Sequence, residues 1–120
     1  MRKIIPAILI ALIITPSIAT AQYEYSRSDA KEIVEQYVEQ GGITEMDKHM
    51  MEVWVNPALW RVALDAQDKE RFICLIADYM KYFNTSGWSS TDGKPGVTIY
   101  DGQSGKEIGG FSNWSGTYIE

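Results

Sequence analysis

From Ala66 to Phe83 the apolar side chains recur at helical spacing. Placed at 100° per residue, Phe72, Ile76, Tyr79 and Phe83 share one narrow sector, with Leu75 and Tyr82 on one flank and Ile73 and Met80 on the other. It belongs to the longer stretch Asn56 to Asn84, and no other stretch beyond residue 21 has enough apolar residues at helical spacing to act as a core, so the rest of the chain must pack on this one. Asp65 reads as its cap, and Asp68 adds an acid to the first turn, where the helix dipole favours one. Asn84-Thr85-Ser86-Gly87 ends it. Arg71, Cys74, Asp78 and Lys81 fall opposite the apolar sector, which argues for core packing and not for a cofactor box.

The flanking segments supply the partners. Ala30, Ile33, Val34, Tyr37 and Val38 make one stripe of a first helix that starts near Ser28 or Asp29 and stops at Gly41-Gly42. Ile43 to His49 reads as a turn or a short helical piece with Thr44 as its cap. Met51, Val53 and Val55 alternate with Glu52 and Trp54, the period of a strand with one buried face. Asn56-Pro57 then opens a two-turn helix over Ala58 to Leu64, with Leu59, Trp60, Val62 and Ala63 available for packing. Val97 to Tyr100 and Glu107 to Ser112 form a hairpin across the turn residues Asp101 to Lys106, and Thr117 to Ile119 is a candidate last strand. The expected fold class is α+β, three helices on a small antiparallel sheet of three to four strands, in the order helix, strand, helix, helix, hairpin.

Residues 1–21 carry Arg2 and Lys3, an apolar run from Ile4 to Ile14, and the small-residue site Ala19-Thr20-Ala21. That is the layout of a secretory signal peptide cleaved after Ala21, and its apolar run is shorter than the roughly 20 residues of a membrane span. Residues 22–27 follow as a flexible lead-in and 28–120 as a single domain. The expected destination is periplasmic or secreted, with no stable membrane anchor after cleavage. Loss of Arg2 and Lys3 lowers the basic count from 11 to 9 against 16 acidic residues, a net charge of −7. So acidic a domain is repelled by nucleic acid and drawn to basic proteins. Cys74 is the one cysteine, so no internal disulfide can form.

Familiar chemistry is sparse. Asp101-Gly102-Gln103-Ser104-Gly105-Lys106 lacks the spacing of a phosphate loop and has too few ligands for calcium, which leaves a hairpin turn. His49, the single histidine, has only Asp47 nearby, so no metal site, cofactor or catalytic residue is assigned. Cys74 has three readings: a small packed residue, an intermolecular disulfide in a homodimer if its side is open, or a nucleophile without a supporting motif. Alternation sends Trp54 and Tyr100 to the sheet face opposite the long helix unless the first helix covers them, and Trp114 and Tyr118 lie in the adjoining Gly/Ser-rich end. These four aromatics are the candidate binding surface for a protein partner or a sugar ring.

Val53 to Tyr118 resembles a pattern found in small exported bacterial α+β proteins of unassigned function. The residues that carry the likeness are the valine-rich strand into Asn56-Pro57, Trp60 with Leu64, Lys69, Tyr79, and Ile99-x-Asp101 leading to Ser104-Gly105-Lys106. The resemblance implies a fold and an export route, and no activity. Gly109-Gly110 departs from the pattern and is expected to leave its strand poorly filled. The function these readings suggest is an exported, non-catalytic protein that recognises or inhibits a basic partner. The alternatives are a cell-wall or glycan-binding module on the same aromatics, and a small hydrolase with acid and base carboxylates placed by the fold alone.

Overall fold

The computed structural model describes residues 23–89 and 93–120; the signal-peptide reading of residues 1–21 lies outside them. The elements are α1 (Arg27–Glu39), β1 (Ile43–Asp47), β2 (Glu52–Val55), a π-helical segment (Ala58–Ala63), α2 (Ala66–Phe83), β3 (Val97–Asp101), β4 (Glu107–Ser112) and β5 (Gly116–Ile119). The class is α+β as expected, but the sheet has five strands in the order β1-β2-β3-β4-β5 and is mixed. Its β2–β3 pair is parallel, and the other three pairs are antiparallel. None of the described helices is long and apolar enough to cross a membrane.

Both caps of the long helices come from side chains. Asp65 accepts from the Asp68 amide at 2.8 Å, as its position suggested. For α1 the cap is Ser26, ahead of the expected Ser28 or Asp29, because its hydroxyl reaches the Asp29 amide at 3.1 Å. Gly41, at φ +84°, takes the left-handed conformation that ends the helix. Past α2, Asn84 organises the exit: its Nδ2 donates to the Met80 carbonyl, and its Oδ1 accepts from the amides of Ser86, Gly87 and Trp88.

The stretch from Ile43 to Asp47 is a strand, not a turn or helical piece. It pairs with β2 through Ile43↔Val55 and Met46↔Val53, with a bulge between Ile43 and Glu45. The short helix after Pro57 is also wider than expected: Leu64 donates to Leu59, five residues back, at 3.1 Å. The wide turn places Leu59 and Trp60 inward and leaves Val62 69% exposed.

α2 is central. Every residue from Phe72 to Met80 is buried, including Cys74 and Asp78 on the side that the helical wheel marked as polar. Its apolar sector packs on the inner sheet face with Val53, Val55, Val97 and Ile99, while Ala30, Val34 and Tyr37 of α1 close the core. The Tyr37 and Trp60 rings meet Phe72 edge to face at 5.0 and 6.1 Å. Cys74 and Asp78 lie under the lead-in and the Lys94 loop. The lead-in, read from composition as flexible, makes defined contacts: the Tyr25 amide donates to Asp78 Oδ2 at 2.8 Å, and the Tyr23 hydroxyl accepts from Gln67 at 3.1 Å.

Gly109 and Gly110 are filled from both sides. A Cβ on Gly109 would lie 3.5 Å from the Trp60 ring and 2.9 Å from the Tyr118 carbonyl oxygen, and one on Gly110 would lie 2.6 Å from the Tyr118 hydroxyl oxygen. The strand expected to be poorly filled therefore lets an indole approach on one face and a phenol cross on the other.

Asp101 closes the β3–β4 turn. Its Oδ1 accepts from the amides of Gln103 at 2.7 Å and Ser104 at 3.0 Å, and its Oδ2 meets Arg61 at 3.1 Å. The Ser104 amide leads the groups that hold this carboxyl below its ordinary value. A depressed carboxyl stabilises the fold above its unfolded pKa, about 3.9, and that contribution is lost as pH falls through the folded value. Asp101→Asn should thus cost about 1–2 kcal/mol at pH 7. In urea titrations the gap to the parent should close below about pH 4. A gap that stays constant with pH would show that the charge is immaterial.

Candidate functional site

The outer face of the sheet carries no helix among the described residues. Alternation in β2 and β3 sends Val53, Val55, Val97 and Ile99 to the core and Glu52, Trp54, Thr98 and Tyr100 outward, where all four are half-buried. Register sets their neighbours. Trp54 pairs with Glu45 on one side and with Tyr100 on the other, and Tyr100 pairs in turn with Glu107. The first helix does not cover this face; it lies against α2 and β1.

The rings and the carboxylates are interlocked. Trp54 and Tyr100 stack with centroids 5.1 Å apart and planes 20° from parallel. The Tyr100 hydroxyl donates to Glu52 Oε2 at 3.2 Å, and the Tyr118 hydroxyl to Glu107 Oε2 at 2.7 Å. Burial, then the bond to Glu52, raises the Tyr100 phenol above its ordinary value. Burial, then the bond to Glu107, pushes Tyr118 up to about 12. Both phenols are therefore neutral donors across the physiological range. Among the described residues no ion pair involves Glu45, Glu52 or Glu107.

Three of the four candidate aromatics, Trp54, Tyr100 and Tyr118, share this face. Trp114 stands 97% exposed in the β4–β5 turn, at the opposite end of β4 from Glu107. The sequence reading missed Glu45, Glu52 and Glu107 as members of the surface. Period-two alternation would have placed Glu52 beside Trp54, but a bulge in each neighbouring strand pair hides the other two.

Cys74, read as a possible intermolecular disulfide, is 5% exposed. Burial raises its thiol, and the nearby Lys94 only partly offsets that. A cleft of about 380 Å³ reaches it between Tyr23, Glu70, Lys94 and Thr117. A larger groove of about 720 Å³ runs beside α1, and its rim mixes Lys31 and Lys48 with Glu32, Glu35 and Glu39, so it favours neither sign of charge. His49 is exposed in the β1–β2 turn, with Nδ1 3.4 Å from the Thr85 carbonyl oxygen. No three His, Cys, Asp or Glu residues among those described gather at metal-binding range.

Comparison with protein-family models, with curated proteins and with solved structures finds no match for this chain.

Proposed function

We propose that the chain is exported and works as a protein-binding module, engaging a basic partner through the outer face of its sheet and in that way recognising or inhibiting it. The observation that carries the reading is the Trp54–Tyr100 stack, bordered by Glu45, Glu52 and Glu107, none of which is in an ion pair among the described residues. Half-buried aromatics give such a face apolar area, and unpaired carboxylates steer a cationic surface onto it. A protein partner is favoured over a sugar because the bordering carboxylates give the face a charge that a cationic surface uses and a neutral sugar does not.

Immobilised residues 22–120 should retain a basic protein from periplasmic extract at low salt. Once that protein is identified and purified, Trp54→Ala should weaken its binding about 30-fold, the effect of a hot spot near 2 kcal/mol. The triple variant Glu45→Gln/Glu52→Gln/Glu107→Gln should flatten the salt dependence. Binding that neither change alters overturns the proposal, as does sedimentation with purified cell wall that Trp114→Ala abolishes.

A further inference from the structure

We infer that the group this face selects on its partner is the guanidinium of arginine, seated on the Tyr100 ring and held by the Glu107 carboxylate. The inference rests on the basic-partner reading and makes it specific.

Tyr100 stands between two unlike neighbours. Trp54 covers one face of its ring, while the other side looks toward β4. There the register shift between Ile99 and Tyr100 matters. Ile99 pairs with Gly109, and an unbroken ladder would set Ile108 opposite Tyr100; the bulge sets Glu107 there instead. The next outward position on β4 is Gly110, which has no side chain, and the Tyr118 phenol lies across it. The side of Tyr100 away from Trp54 therefore borders the Glu107 carboxylate and the Tyr118 phenol.

Glu107 is set up to accept. Tyr118 donates to its Oε2 at 2.7 Å, which orients the carboxylate and leaves Oε1 without a partner among the described side chains. Glu52 is held the same way by Tyr100. A group that completes this arrangement needs a flat face for the ring and in-plane donors for the carboxylate, and it must be positive. Guanidinium meets all three conditions, and it sheds water more readily than ammonium does. Lysine offers a compact, strongly hydrated charge that gains less from a phenol face.

The test uses two capped hexapeptides, one of alternating arginine and threonine and one with lysine at the same positions. Each is titrated into residues 22–120 at low salt by calorimetry and by the indole N–H resonance of Trp54. The arginine peptide should bind at least about fivefold more tightly, in line with a stacking term near 1 kcal/mol. Tyr100→Leu should erase that preference while leaving charge-driven binding of both peptides. Tyr100→Phe, which keeps the ring and gives up the bond to Glu52, should preserve it. Glu107→Gln should weaken the arginine peptide more than the lysine peptide. Equal binding of the two peptides, or a preference that survives Tyr100→Leu, overturns the inference and leaves the basic-partner reading standing. Binding of the purified partner without binding of either peptide does the same, and loss of both overturns the two together.

Discussion

Asp78→Ala should lower stability by about 3–5 kcal/mol, a large part of the 5–15 kcal/mol that holds a domain of this size. Asp78 sits mid-helix with its side chain 6% exposed and accepts on both oxygens, from Lys94 Nζ and from the Tyr25 amide, each at 2.8 Å. Removing the carboxylate leaves an ammonium, itself 6% exposed, with no countercharge, and orphans a main-chain donor. The pair itself need not be a net gain, because two charges had to be taken out of water to form it. Asp78→Asn/Lys94→Met separates these effects, since asparagine still offers the Tyr25 amide an acceptor and no buried charge is left. Urea unfolding should put that double variant well above Asp78→Ala. A single variant within about 1 kcal/mol of the parent would mean that the pair is in effect solvated.

Phe72→Ala should cost a similar amount, about 3–5 kcal/mol, for a different reason. Phe72 is fully buried where Tyr37 of α1 and Trp60 of the π-helical segment both point ring edges or faces at it. Truncation removes the transfer energy of the ring and opens a cavity whose walls belong to three elements that cannot all move inward at once. Phe72→Leu fills most of the space and should cost less than half as much. For a domain near 100 residues the alanine variant should melt on the order of 20 °C lower. An alanine variant that unfolds at the parent's urea midpoint would show that the junction collapses freely.

The long helix could be read to the residue because its signals are local: an acid at the cap, apolar steps of three and four, and a polar stop at Asn84. The Trp54 and Tyr100 face was legible for the same reason, since alternation within one strand needs no knowledge of its neighbours. β1 was not legible, because its bulge sets Ile43 and Met46 inward at a spacing of three, which mimics a helix. The wheel called Cys74 and Asp78 polar-side residues, and what covers them comes from Tyr23, Tyr25 and Lys94, far away in sequence. The approach of Glu107 to Tyr100 depends on strand pairing and a bulge, and neither leaves a trace in local composition.

The parallel junction of β2 and β3 also governs how the molecule assembles. On either side of it every strand pairs with its immediate successor, β1 with β2 and β3 through β5 in a meander, so both halves can form early and locally. The seam joins residues on either side of the whole π-helix and α2 excursion, pairing Glu52 with Thr98 and Val55 with Asp101. Neither half has its own cover: the meander lies under α2, and the β1–β2 ribbon is sealed only once α1 has docked on α2. The folding barrier is therefore expected at the closing of this one zipper, with the domain gaining its sheet and its core in a single cooperative step.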